Sequence, residues 1–291
     1  MSCCPSSGHA VRRPTSPGTW GAPAGELDAM ATACSLSALG LDLVGHGRPD
    51  EAFGAVVAAV RSVPHGSCWP ADPRAALREL VFLLLDGSVT ENIRTSAAGR
   101  LDELFARSAG RLASRTDRLF CLIGLGVNGL SRGEAARSLA VAAELRAVAG
   151  GEAGCGPLHR PGLRAVALLG SAVIRQQLGQ AAVEVHEATH LLLRLRAITW
   201  TGRRRLLSRS LLMAAGQARA KNDLTRALNS ASAAVGQARG LRAGFRAVIL
   251  AEALTGLSAV LGDLGRHGEA IHAAVEAVDV AASAVTWLPE G

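Results

Sequence analysis

Apolar residues recur at three- and four-residue spacing along the chain from Glu26 onward. Short stretches of Gly, Pro, Asn or Asp interrupt this pattern and divide it into segments, each long enough for one helix. The spacing predicts amphipathic helices, and no segment gives a convincing strand. The pattern therefore favours an all-α protein.

The predicted helices come in pairs joined by short turns. The first helix of each pair is predicted over about 26–44, 73–86, 116–127, 162–178, 204–220 and 244–262. The second is predicted over about 49–63, 91–109, 132–148, 181–198, 223–239 and 267–285. Several of the second helices open with a Gly or polar turn, followed by an acid and Ala.

Four of the second helices can be aligned on Ala52, Ala135, Ala227 and Ala270. Their spacing fits a repeat of about 42 to 46 residues. A unit of two helices cannot bury its apolar face alone, so stacked units share one core. We predict a right-handed solenoid of about six antiparallel helix pairs over residues 25–288. Residues 1–24 contain four prolines and no periodic apolar face, which predicts a disordered tail.

The segment LGDLGRHGEAIHAAVEAVDVA at 261–281 resembles the second half of a tetratricopeptide repeat, with its turn, its Glu-Ala pair and its Ala-rich helix. Residues 45–60 resemble it clearly, and 127–145 and 220–235 in part. Leu or Ala replaces most of the bulky aromatic residues of that family. The chain is similar to the helical sensor regions of actinobacterial transcription regulators. This resemblance implies binding of a peptide or protein segment in a regulatory process, with the first helices lining a concave surface.

Composition adds little support for nucleic-acid binding. The chain has 291 residues, of which 49% are hydrophobic, 19% charged and 3% aromatic, and its net charge is +7. Lys221 is the only lysine among 31 basic residues, a bias typical of GC-rich coding. Because aromatic side chains for base stacking are also scarce, an acidic peptide is the expected partner and nucleic acid the less favoured one.

The sequence predicts a cytoplasmic protein without a membrane segment. Its longest uninterrupted apolar run, Leu80–Leu85, is far shorter than the roughly 20 residues that span a bilayer. No apolar run follows Arg12 and Arg13 as a secretion signal would require. Apart from the adjacent Cys3 and Cys4, the six cysteines lie at wide spacings, and none form a CxxC pair, so they indicate neither a zinc ribbon nor a disulfide framework.

Basic residues dominate the segment between Glu187 and Asp223, which contains no acid. Arg205 and Arg209 are four residues apart and should share one helix face. Forked guanidinium groups suit carboxylates. We therefore predict a peptide- or anion-binding site formed by Arg203, Arg205 and Arg209. A solvated basic face is the alternative interpretation.

The segment VEVHEATHLLL at 183–193 contains the H-E-x-x-H pattern of His186, Glu187 and His190. In zinc hydrolases, this spacing puts two imidazoles on the metal, and the Glu acts as general base. A third protein ligand is required, but no acid lies between Glu187 and Asp223. Zinc-dependent hydrolysis is therefore the alternative function, and exposed polar helix residues are the simpler interpretation.

Gly124, Gly126 and Gly129 form a G-x-G-x-x-G pattern after an apolar run. A dinucleotide fold also needs a second strand ending in a ribose-binding acid, and none follows. These glycines are better explained as turn and close-packing positions of the third helix pair. With no S-x-x-K motif and no P-loop in the sequence, we predict no catalytic residue and no cofactor.

Overall fold

The structure is a computed structural model that describes residues 24–63, 71–109, 115–150, 161–180, 182–195 and 202–285. These residues form twelve α-helices and no strand, which confirms the predicted all-α class. The helices are α1 (Ala24–His46), α2 (Pro49–Ser62), α3 (Ala71–Asp86), α4 (Glu91–Ala109), α5 (Arg115–Ser131), α6 (Ala135–Gly150), α7 (Pro161–Gln177), α8 (Glu184–Arg194), α9 (Arg203–Ala220), α10 (Leu224–Arg239), α11 (Ala243–Asp263) and α12 (His267–Val285). The predicted disordered tail lies outside the described residues, apart from Ala24, which begins α1.

One residue with a positive φ angle lies in the turn inside each helix pair. The φ angles of these residues lie between 58° and 75°. The residues are Gly47, Gly87, Gly133, Gly179, Asn222 and Gly265. Only glycine enters this left-handed region without steric strain, and asparagine is among the residues that tolerate it best. The same left-handed backbone conformation therefore recurs once per helix pair.

Backbone hydrogen bonds close five of these six turns in a common way, the exception being the turn at Gly87, where the N–H of Ser88 donates to Asp86 Oδ1. The N–H of Arg48 donates to the carbonyl of Leu43 at 3.0 Å, two residues past the end of α1. The N–H of Arg266 donates to the carbonyl of Leu261 at 2.9 Å in the last pair. Such a six-residue closure satisfies the last carbonyls of a helix and reverses the chain. It explains why each pair needs only a few connecting residues.

The first helices of the middle pairs, from α3 to α9, form the inner part of the molecule. Successive first helices contact one another from α1 to α7 and again between α9 and α11. Residues 80–86 of α3 and 165–174 of α7 are all buried. A helix that is buried on all sides needs apolar residues around its whole circumference, as these two segments have. The main hydrophobic core therefore runs through the first helices.

Contacts between distant pairs distinguish this molecule from a simple stack. In a regular solenoid, each repeat contacts only its neighbours. Here α3 of the second pair contacts α7 and α9 of the fourth and fifth pairs. Arg242, just before α11, donates from Nη1 to the carbonyl of Gly45 at 2.5 Å. The chain thus folds back on itself, and the inner helices meet each other.

Two helices are long and apolar enough to span a membrane by length and composition. They are Gly25–His46 and Phe245–Asp263. Of these segments, 22% and 44% are buried inside the molecule, and core helices of soluble proteins pass the same test. The sequence prediction considered only uninterrupted apolar runs and did not single out either helix. Absence of a membrane segment stays a prediction.

Candidate functional site

The three predicted anion-binding arginines lie on α9, but they do not form one exposed face. Arg205 is buried, with 2% of its surface exposed. Arg209 is partly buried and donates a hydrogen bond to Glu252 of α11. Arg203 donates from Nε to the carbonyl of Leu192 at 3.0 Å. The expectation that Arg205 projects into a groove is wrong, and the other two guanidinium groups already have partners within the chain.

Arg205 is the centre of a buried ion cluster. Its Nη2 donates a hydrogen bond to Oε1 of Glu79, and its Nε lies 3.2 Å from Oδ2 of Asp86. Both carboxylates belong to α3 and are almost completely buried. The guanidinium carbon also lies 4.2 Å from the ring centre of Phe245. Arg205 therefore joins α3, α9 and α11 inside the core.

The electrostatics of this cluster reflect its burial. Removal from water raises the pKa of Asp86 from its ordinary value near 3.8 to about 6, although Arg205 and hydrogen bonds from Ser88 act in the opposite direction. Burial also works against the charge on Arg205, but Asp86 and Glu79 outweigh it and raise the pKa of the guanidinium. The arginine stays charged and holds the three helices together, mainly through the hydrogen bond from Nη2 to Glu79, while its Nη1 has no hydrogen-bond acceptor among the described residues.

The H-E-x-x-H residues lie on α8, as predicted, with His186 half-buried and His190 exposed. Arg226 of α10 approaches His186, with its Nη2 3.3 Å from Nδ1 of the imidazole. Burial, then Arg226 and Lys221, lower the pKa of His186. The positive charges of Arg226 and Lys221 oppose the binding of a metal cation at His186.

The Glu of the motif, Glu187, also has a partner outside the motif. Glu187 forms an ion pair with Arg164 of α7 at 2.5 Å. Across the described ranges, no group of three His, Cys, Asp or Glu side chains is placed to hold a metal ion. The third ligand that the zinc interpretation requires is therefore not found in the part of the chain that the structure covers.

The three glycines of the G-x-G-x-x-G pattern lie inside α5 rather than in a strand-to-helix turn. A Cβ atom on Gly126 would lie 2.6 Å from Cδ1 of Ile174, and one on Gly129 would lie 2.7 Å from Oγ of Ser138. One on Gly124 would collide with the ring of Phe105. These positions let neighbouring helices approach closely, which agrees with the close-packing role predicted for them. The turn of this pair lies further on, at Gly133.

A cleft that no sequence motif indicated lies beside α6 and the end of α7. Its volume is about 440 Å³. Its lining combines four small or apolar side chains with three long polar ones. The lining residues are Leu139, Ala142, Ala143, Arg146, Ala147, Arg175 and Gln180. A cleft of this composition can receive a ligand that has both an apolar part and a negative charge.

The two arginines of the cleft share one buried carboxylate. Nη1 of Arg175 donates to Oε1 of Glu184 at 3.4 Å, and Nε of Arg146 lies 3.7 Å from the same oxygen. The side chain of Arg146 is 56% exposed and that of Arg175 is 28% exposed, whereas that of Glu184 is 3% exposed. Two cations against one anion leave one net positive charge at the cleft. Most of the guanidinium N–H donors have no acceptor among the described residues.

Comparison of the chain with protein-family models and with curated proteins gives no match.

Proposed function

We propose that the chain is a non-enzymatic helical repeat protein that binds an acidic peptide or protein segment, and that Arg146 and Arg175 receive its carboxylates. The observation that carries this proposal is the cleft at α6 and α7, where two partly exposed guanidinium groups with unused donors border a wall of small apolar side chains. Guanidinium groups bind carboxylates through paired hydrogen bonds.

This binding surface differs from the one expected from the tetratricopeptide resemblance. A concave groove needs first helices that are separated enough to admit a peptide, but α3 and α9 contact each other and enclose Arg205. The cleft at α6 and α7 contains a second helix and is open to solvent at Arg146. The partner that we propose is still acidic, but its binding site is at α6 and α7 and not on a concave surface formed by the first helices.

The wider proposal is a tetratricopeptide-like, right-handed solenoid of six antiparallel helix pairs that serves a regulatory process in the cytoplasm. The recurrence of one left-handed turn residue per pair supports the repeat organisation. The small apolar wall of the cleft, with Ala142, Ala143 and Ala147, suits an aliphatic side chain next to the acid of the partner.

The proposal can be tested by selecting peptides from a random phage-displayed library on the immobilised full chain. Selected peptides are then synthesised, and their dissociation constants are measured by fluorescence anisotropy. We expect the selected peptides to carry Asp or Glu beside an aliphatic residue, and their binding to weaken as salt is raised. Failure to select such peptides would contradict the proposal.

Variants locate the site. Arg146→Gln and Arg175→Gln should each weaken peptide binding about five- to tenfold, because a partly exposed charge-assisted hydrogen bond contributes about 1 kcal/mol. Arg100→Gln is the matched control, since Arg100 is an exposed arginine on α4, away from the cleft. Equal binding by all three variants would show that the peptide binds elsewhere.

A further inference from the structure

The outward side of α12 carries an apolar stripe with no partner in the described part of the chain. Ile271, Val275 and Val278 are 65%, 54% and 67% exposed. Their spacing of four and three residues puts them along one line of the helix. The opposite side of α12 packs on α11 through Ala273 and Ala277, which are buried. The stripe therefore points away from the core.

Small side chains continue this stripe and allow another helix to come close. Ala274, Ala281 and Ala282 are all exposed on the same side of α12. Other exposed large apolar residues do not form such a line. On α1, for example, Leu27 and Leu39 are 48% exposed but lie twelve positions apart, about a third of a turn out of line.

A histidine and a carboxylate border the stripe on one flank. His272 and Asp279 are both exposed and lie seven residues apart, which is close to two full turns. The structure assigns neither of them an ion-pair or hydrogen-bond partner within the residues that it covers. Other charged residues of α12 are engaged: Glu276 accepts two hydrogen bonds from Arg239, and Glu269 pairs with Arg266. The flank thus keeps one imidazole that can donate a hydrogen bond and one carboxylate that can accept it.

This arrangement is complementary to itself. When two copies of a helix pack antiparallel around a two-fold axis, the same flank of each helix meets, with its direction reversed. The midpoint between His272 and Asp279 lies at Val275 and Glu276, near the middle of the apolar stripe. Each His272 would then face Asp279 of the second copy, while the valines and isoleucine meet at the centre.

We propose that α12 is the interface of a homodimer, formed by two antiparallel α12 helices with Val275 at the two-fold axis. One helix pair buries less than the roughly 1,200 Å² of a standard interface. The dimer should therefore be concentration-dependent, with a dissociation constant on the order of micromolar. This inference rests on α12 alone and is independent of the cleft at α6 and α7.

Sedimentation equilibrium of the full chain from about 1 to 200 µM tests the proposal. We expect a monomer–dimer equilibrium and no larger species. Val275→Arg should weaken dimerisation at least tenfold, with an unchanged far-ultraviolet circular dichroism spectrum because the side chain faces solvent. Leu39→Arg on α1 is the matched control and should leave the dimer intact.

The two His272–Asp279 contacts provide a second test that does not depend on the apolar stripe. Asp279→Arg should weaken the dimer several-fold because it removes the carboxylate that accepts from His272, and adding His272→Asp to it should restore the dimer by exchanging donor and acceptor. A monomer at all concentrations would overturn the proposal, and so would a dimer that is insensitive to Val275→Arg and Asp279→Arg. Assembly beyond the dimer that Leu39→Arg abolishes would instead indicate head-to-tail contact between α12 and α1, which also overturns it.

Discussion

Arg205 on α9 donates a hydrogen bond to Glu79 on α3, a residue 126 positions earlier in the chain. Both side chains are buried, and Asp86, on the same helix as Glu79, adds a second carboxylate. One guanidinium therefore links the second and fifth helix pairs. The pairs it links are not neighbours along the stack.

Removing this guanidinium should strongly destabilise the protein. Arg205→Met keeps much of the side-chain volume but leaves Glu79 and Asp86 without their cation, and breaking a buried ion pair costs about 3–5 kcal/mol. Urea denaturation followed by circular dichroism measures the change. Arg209→Met is the control: its partner Glu252 is more exposed, so the loss should stay below about 1 kcal/mol. Equal losses for both variants would contradict the structural role of Arg205.

The raised pKa of Asp86 makes its contribution to stability dependent on pH. Because the folded protein holds this proton more tightly than the unfolded chain, the contribution is full below pH 3.8 and is lost as pH rises through about 6. In Asp86→Asn, the amide oxygen can still accept the hydrogen bonds from Ser88. The stability of this variant relative to wild type should therefore improve by about 2 kcal/mol between pH 4 and pH 7. A difference that stays constant with pH would contradict this prediction.

The turn glycines should respond to alanine differently from a glycine inside a helix. Gly133 has a φ of 75° and open space around its missing Cβ, so Gly133→Ala should cost about 1–2 kcal/mol through backbone strain alone. Gly99 lies inside α4 with open space as well, and Gly99→Ala should add about 0.5–1 kcal/mol to the stability. Thermal and urea denaturation of the two variants should give changes of opposite sign.

The H-E-x-x-H segment should not bind zinc tightly. With Arg226 against His186 and Arg164 on Glu187, a metal ion would have to displace two arginines. We expect one equivalent of zinc to leave the melting temperature unchanged, equally in wild type and in His186→Ala. Zinc-dependent stabilisation that disappears in the variant would instead support the hydrolase alternative.

The helices could be predicted because their information is local. Apolar spacing and turn residues such as Gly133 and Gly265 lie within each helix pair, and all twelve observed helices correspond to predicted ones. The largest shifts, of four residues each, are at the end of α5, which lies at Ser131, and at the end of α8, which lies at Arg194. Both departures lie at helix ends, where hydrophobic spacing gives least information.

The surroundings of the arginines could not be predicted because their partners are distant in sequence. Within its own segment, all charged residues near Arg205 are basic, and this pattern favoured the prediction of an exposed anion site. One signal was present: Glu79 and Asp86 border the apolar run of α3 on either side, and buried acids require a cation. The cleft gave no comparable signal, since Arg146 and Arg175 belong to different helices and come together only when α6 packs on α7.

The contact between α3 and α9 bears on how the molecule unfolds. A linear array of repeats can lose its terminal units one at a time, because each unit is stabilised only by its neighbours. Here the fifth helix pair is anchored to the second, and Arg242, just before α11, reaches the carbonyl of Gly45 near the end of α1. Fraying of a terminal pair therefore also breaks a contact with the pair at the other end of the chain. We expect one cooperative transition in denaturant, and slow folding, because the closing contacts join segments far apart in the chain.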